Sequence, residues 1–176
     1  MRKIVKIFFE LSIILIMTVI MSSCSFIHGS RVKMHNLRAD LPVGFVLQQY
    51  EGIATAVHYN YPNVKDNITF VVNGKEDISN YTPGVIKKYL ESNISDIDKL
   101  EITEFKEITI SRKEALRIEL SYFVYSPQKQ KINQIMIVIF DKYSTYSVTC
   151  TLLDKTYERV FEKTIDSIKI KWSIFY

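Results

Sequence analysis

The sequence predicts an α+β fold: an antiparallel β-sheet flanked by helices in an α/β/α sandwich. Three observations predict it. From Glu114 to Tyr125 the even positions Leu116, Ile118, Leu120, Tyr122 and Val124 are apolar, while Arg117, Glu119 and Ser121 between them are polar. A period of two marks a strand buried on one face. From Ile132 to Phe140 both alternating sets are apolar, Ile135, Ile137 and Ile139 against Met136, Val138 and Phe140, which describes a central strand covered on both sides. Two further stretches carry apolar residues every three or four positions behind capping signals, the pattern of helices able to cover such a sheet.

In chain order, the domain begins near Leu41-Pro42. Phe45 to Gln49 reads as a short strand turned at Glu51-Gly52. Ile53 to Tyr59 and Ile68 to Val72 read as strands, separated by a break that holds Pro62, and Asn73-Gly74 is a turn signal. Thr82-Pro83 opens a helix, with a hydroxyl at the N-cap and a proline at the first position, where no backbone donor is lost. Val85, Ile86, Tyr89 and Leu90 follow at helical spacing, and the helix ends around Asn93 to Asp98. Leu100 to Ile110 is a strand with Ile108 and Ile110 on one face, and Ser111 to Lys113 is a turn. Ser126 to Lys131 and Asp141-Lys142 are the next two turns. In Tyr143 to Leu153 the residues Tyr146, Val148, Cys150 and Leu152 face inward. Asp154 caps a second helix with Glu158 in its first turn, where the dipole favours an anion. Its stripe is Tyr157, Val160, Phe161, Ile165 and Ile168, and a last strand, Ile168 to Trp172, precedes Ile174-Phe175-Tyr176. Short turns make successive strands antiparallel. The order is therefore strands, helix, a three-stranded meander, helix, strand.

Ahead of this domain lies a different kind of segment. Arg2, Lys3 and Lys6 precede an apolar run from Leu11 to Met21, and Ser22-Ser23-Cys24 closes it. This is a positive n-region, an h-region and a small-residue cleavage site. With cysteine first after the cut, Met21-Ser22-Ser23-Cys24 resembles the lipobox of bacterial lipoproteins. The resemblance implies a diacylglycerol thioether on Cys24 followed by cleavage before it, and two acyl chains hold firmly where one is marginal. A plain secretory peptide is the alternative. An uncleaved anchor fits less well, because the apolar run falls short of the ~20 residues a span needs and Glu10 interrupts any extension. The expected organisation is a signal peptide over 1–23, lipidated Cys24 and a tether over 24–40, and the α+β domain over 41–176. Ser25 to Asp40 shows no periodicity. As a flexible chain its mean reach is roughly 20 Å, and its Arg31, Lys33 and Arg38 either contact anionic headgroups, each worth up to about 1 kcal/mol near the surface, or are solvated linker charges.

Residues 1–23 hold three of the 23 basic and one of the 19 acidic side chains, so what remains is 20 against 18. That near balance implies no strong nucleic-acid or membrane field, and no nucleic-acid partner is expected. Cys150 is the one cysteine besides Cys24, so no disulfide is expected, even in an exported compartment that permits one. At an inward strand position with no histidine nearby in sequence, Cys150 reads as a core thiol rather than a nucleophile. His28, His35 and His58 have no metal-ligand spacing, and no cofactor is expected. Glu101, Glu104 and Glu107 recur every three residues, which on a strand alternates faces and reads as a solvated edge. Five glycines in 176 residues, and no G-x-S-x-G, P-loop or G-x-G-x-x-G, leave little room for a phosphate cradle. The eleven tyrosines suit strands as well as interfaces. Trp172, Phe175 and Tyr176, running past the last strand, are the candidate interaction residues, unless this tail folds back over a sheet edge.

The domain also resembles a family. Leu41-Pro-Val-Gly-Phe45, the helix opened by Tyr81-Thr82-Pro83, and Ile108-Thr-Ile110 turning into Ala115-Leu-Arg-Ile118 look like the PsbP/Mog-like fold, which includes DcrB-like and LpqN-like lipoproteins. So do Tyr143 to Thr151, Tyr157-Glu-Arg-Val-Phe161 and Ile165-Asp-Ser-Ile168. The resemblance spans roughly 41–172, and it departs at Ser111-Arg112-Lys113, where a glycine turn is frequent in the family. It implies the sandwich fold and a largely non-enzymatic character, with partners that differ between members. The expected function is a lipid-anchored, non-catalytic binding or adaptor protein on the extracytoplasmic face of the cell membrane, with an envelope protein as partner. The alternative is a small-molecule or lipid carrier with a pocket between sheet and helix. Cys24→Ser should abolish incorporation of labelled palmitate and release the chain from the membrane fraction. A variant retained there at unchanged size would exclude lipidation as the anchor.

Overall fold

The strand Ile132 to Phe140 has no polar face, so it must lie between two covering layers. The computed structural model describes residues 30–58, 66–94, 97–125, 129–153 and 158–171 and shows both layers. A seven-stranded antiparallel sheet runs from edge to edge as Phe45–Tyr50, Ile53–His58, Asn67–Gly74, Ser144–Leu152, Lys129–Phe140, Lys113–Tyr125 and Asp98–Ile110. In chain order these are β3 (Phe45–Tyr50), β4 (Ile53–His58), β5 (Asn67–Gly74), β6 (Asp98–Ile110), β7 (Lys113–Tyr125), β8 (Lys129–Phe140) and β9 (Ser144–Leu152). The meander β7-β8-β9 sits inside it as the alternation predicts, with Ile135 opposite Glu119 on one side and Cys150 on the other. Helix α1 (Pro83–Asn93) carries the chain from β5 to β6 at the far edge, and helix α2 (Glu158–Asp166) follows β9.

Each helix covers a different face. Ile86 and Leu90 of α1 pack with Leu116, Ile118, Leu120, Tyr122, Ile132 and Val138. Phe161 and Ile165 of α2 pack with Ile135, Ile137, Ile139, Tyr146, Val148 and Cys150. Ile137, Val138 and Ile139 are all fully buried, each worth about 1.5–3 kcal/mol relative to exposure. The start of α1 is as expected: Thr82 is the N-cap, its hydroxyl accepting from the Val85 amide at 3.3 Å, with Pro83 next. The Asp154 cap and Tyr157 lie outside the described residues.

The region expected to be tether is where the structure departs from the sequence reading. Residues 31–40 form a hairpin, β1 (Arg31–Met34) and β2 (Leu37–Asp40), and the two-residue strand β10 (Lys169–Ile170) pairs with β2 rather than with the large sheet. Val32, Met34, Leu37 and Ala39 are buried in the α2-side core. A plain α/β/α sandwich is therefore corrected to helix, large sheet, then α2 and a three-stranded sheet side by side. Any tether ends by Ser30. Four-residue strands are too short to show a period of two against chance. His35, at φ 48°, makes the turn between them; histidine is among the residues that tolerate this region.

Two other turns differ in instructive ways. Asn73-Gly74 does not turn; both residues end β5 in register with Thr145 and Ser144. Ser111-Arg112 does turn, with both residues at positive φ (50° and 65°), the backbone of a tight two-residue hairpin loop. Neither is glycine or asparagine. Tertiary bonds hold the first: the Ser111 hydroxyl donates to the Ile168 carbonyl at 3.2 Å and accepts from the Ile170 amide at 3.1 Å. Nearby, Lys113 and Asp141 form a mostly buried ion pair at 2.6 Å that ties this turn to the β8–β9 turn. At the other end of the sheet, buried Asp66 accepts from the Leu153 amide at 2.6 Å, closing β9 against the entry to β5.

Leu37→Ala tests the revised domain boundary. In a tether it would be silent; in the buried hairpin it should lower stability by about 2–5 kcal/mol, read as a fall in the urea midpoint without a change in slope.

Candidate functional site

The residues singled out from sequence fall in two groups. Cys24, Trp172, Phe175 and Tyr176 lie outside the described residues. Cys150 and His58 lie inside and are buried. Cys150 is fully enclosed, and burial pushes its thiol up to about 12, with Glu162 adding to the rise and Arg117 opposing it. The thiolate needed for attack is thus suppressed at neutral pH. His58 is 7 % exposed and meets the Phe45 ring edge to face at 5.5 Å.

One polar constellation escaped the sequence reading. Arg117, on the polar face of β7, gathers three carboxylates from three elements. Its Nε donates to Glu104 at 3.1 Å and to Glu119 at 2.9 Å, and its two terminal nitrogens donate to both oxygens of Glu162 on α2 at 3.0 and 2.5 Å. Register shifts in β6 place Glu104 directly opposite Glu119, so the expectation of a purely solvated glutamate edge fails for Glu104. These bonds, set against partial burial, hold the guanidinium well above its usual range, which keeps it a permanent cation. The arrangement clamps α2 to the sheet through a bidentate pair. Among the described residues, no His, Cys, Asp or Glu cluster is placed to hold a metal.

The cavities are small and mixed in lining. One hollow of about 240 Å³ is lined by Thr103, Glu119, Ser121, Lys131, Asn133 and Glu158 among others, and a second of the same size by Ile78, Glu107, Ile108, Thr109, Glu114 and Ala115. Neither is the apolar chamber between helix and sheet that a lipid carrier requires. Tyr81 closes the lower side of α1 instead, its ring edge-to-face on Phe140 at 5.3 Å and its hydroxyl donating to Glu76.

What remains exposed is a surface. The buried residues of the α1-side core end at β8, with Leu153 just past β9 packed against them. Beyond β8, the same face of the sheet carries Thr149, Thr69 and Thr55 in one cross-strand row and Ser147, Val71, Ile53 and Tyr50 in the next. Val46, Tyr50 and Ile53 are 52 %, 73 % and 45 % exposed, and Val85 and Tyr89 of α1 are exposed as well. The two sheet edges also differ. β6 carries Lys99, Glu101, Glu104, Lys106 and Glu107 and two register shifts, the devices that discourage edge pairing. β3 reads Phe-Val-Leu-Gln-Gln-Tyr, without charge, proline or shift. Sequence reading missed this edge because order within the sheet, not composition, makes β3 terminal.

Two measurements check the roles of Cys150 and Arg117. Native Cys150 should react with maleimide orders of magnitude more slowly than in denaturant. Arg117→Ala, which leaves three carboxylates without their cation, should destabilise the fold by about 1–3 kcal/mol, well beyond the effect of Glu104→Gln, as measured by thermal unfolding.

No family model matches the chain, and no curated protein matches it. Solved structures do. The solution structure of cyanobacterial PsbP (CyanoP) from Synechocystis sp. PCC 6803 aligns with TM-score 0.59 at 9 % identity, over 81 % of this chain and 92 % of that one. The crystal structure of LpqN, involved in cell envelope biogenesis of Mycobacterium tuberculosis, aligns with TM-score 0.52 at 14 % identity, over 82 % and 86 %. A Bacteroides thetaiotaomicron VPI-5482 protein aligns with TM-score 0.53 at 10 % identity, over 83 % of this chain and 50 % of that one. At these identities the likeness concerns architecture alone. The large sheet, its two helices and their order make this a PsbP-like fold.

Proposed function

We propose that this protein is a lipid-anchored, non-catalytic adaptor of the cell envelope, held by Cys24 on the extracytoplasmic face of the membrane, that binds a partner protein through the β3 edge and the adjoining open sheet face. The observation that carries the reading is the uncharged edge strand Phe45–Tyr50 contiguous with exposed Val46, Tyr50 and Ile53. An edge of this kind can take an added strand by main-chain pairing, while alternate side chains give specificity. Large aromatic and branched residues beside it supply apolar area. The likeness to LpqN, described as involved in cell envelope biogenesis, and the lipobox-like Met21-Ser22-Ser23-Cys24 support the location. The enclosed Cys150 and the Arg117 network, used up in clamping α2, support a binding role rather than a chemical one. The tail Trp172, Phe175 and Tyr176, which follows Lys171 in the chain, is proposed as a further interaction segment.

The carrier alternative is less well supported, because the hollows of about 240 Å³ have mixed polar linings. Site-specific photocrosslinkers at Tyr50 or Ile53 in the native membrane should capture one discrete protein adduct, and crosslinkers at Lys87 on α1 should not. Val46→Asp together with Ile53→Asp should remove the adduct while leaving membrane retention intact. An unchanged adduct, or lipid as the captured species, would reject the edge as the binding site.

A further inference from the structure

The small sheet has one face in the core and one in solvent, and the solvent face is cationic. Val32, Met34, Leu37, Ala39 and Ile170 point inward. The alternate residues Arg31, Lys33, Arg38, Asp40 and Lys169 point outward, and Lys171, exposed, extends the row, its backbone N–H donating to the Asn36 carbonyl at 2.9 Å. The register puts Lys33 opposite Arg38 and Arg38 opposite Lys169. Three cations thus stand side by side on three adjacent strands. Like charges directly opposite one another across strands destabilise a sheet. Among the described residues of these three strands the one carboxylate on this face, Asp40, is bound to Arg31 at 2.6 Å and does not relieve them. Such a row is stable only because a core holds the inner face, and it favours an anionic surface laid against the outer one.

We propose that this face seats the domain on the anionic headgroups of the bilayer that holds the anchor. This rests on the lipid-anchored reading for the position of the membrane, and it adds what that reading lacks, an orientation. Two observations select lipid over other polyanions. The plate begins at Arg31, seven residues after Cys24, so full extension allows at most about 25 Å between them. The chain that leads into the plate is the same chain that carries the signal peptide and lipobox-like sequence. The plate also lies on the α2 side of the large sheet, so seating it turns α1 and the open face with Val46, Tyr50 and Ile53 away from the bilayer. The protein then has a membrane side and a partner side on opposite faces.

The test uses the intact lipidated chain in vesicles of phosphatidylcholine alone or with added phosphatidylglycerol, and reads amine labelling residue by residue. Phosphatidylglycerol should slow labelling of Lys33 and Lys169 several-fold, high salt should restore it, and Lys87 and Lys88 on α1 should be indifferent. A variant with Lys33→Gln, Arg38→Gln and Lys169→Gln should lose the protection of Lys171 and melt a few degrees higher, because a repulsive row has been removed; a merely structural role would lower the melting temperature. Equal labelling of Lys33 and Lys169 in the two vesicle types overturns the proposal. Failure of neutral vesicles to retain the chain would instead overturn the anchor, and the plate would still stand or fall on the response to phosphatidylglycerol.

Discussion

A single strand that is apolar on both faces sets the terms for this protein. Around Ile135–Ile139 of β8 the large sheet has no side that tolerates water, so the chain must supply a covering layer on each side there, and most other features follow from how it does so. On one side α1 crosses from β5 to β6 and seals Leu116, Ile118 and Val138. On the other, one nine-residue helix is too short to cover the sheet, and the hairpin Arg31–Asp40 with β10 completes the layer. A helix about 10 Å across shields two or three strands spaced ~4.8 Å apart, and the seven-stranded sheet outruns it. The shortfall on the α1 side is the open face.

The polar chemistry inside the fold is structural. Arg117 satisfies three glutamates and fastens α2, Lys113 and Asp141 join two hairpin turns, Asp66 fixes the end of β9, and Ser111 ties a strained turn to β10. No buried side-chain nitrogen or oxygen among the described residues lacks a partner. The exposed surfaces are of another kind.

Those surfaces lie on opposite sides and have opposite characters. The face toward α1 ends in an uncharged edge strand with exposed Val46, Tyr50 and Ile53; the outer face of the small sheet carries Lys33, Arg38 and Lys169 in a row. The first suits backbone pairing and apolar contact, the second an extended anionic plane. In the proposed role this separation lets one face seat on the membrane while the other takes the partner.

Periodicity over nine to thirteen residues was enough to read β7, β8 and β9, the cap at Thr82 enough to read the start of α1, and the run of tight turns enough to make the meander antiparallel. These are local properties, carried by neighbours in sequence. The Arg31–Asp40 hairpin, the union of Glu104, Glu119 and Glu162 around Arg117, and the terminal position of β3 were decided only in three dimensions. Each depends on which distant segments meet: β10 completing β2, α2 reaching β7, and β9 inserting beside β5. Short strands and isolated charges have no period to announce them, so their roles emerge only when the chain closes on itself.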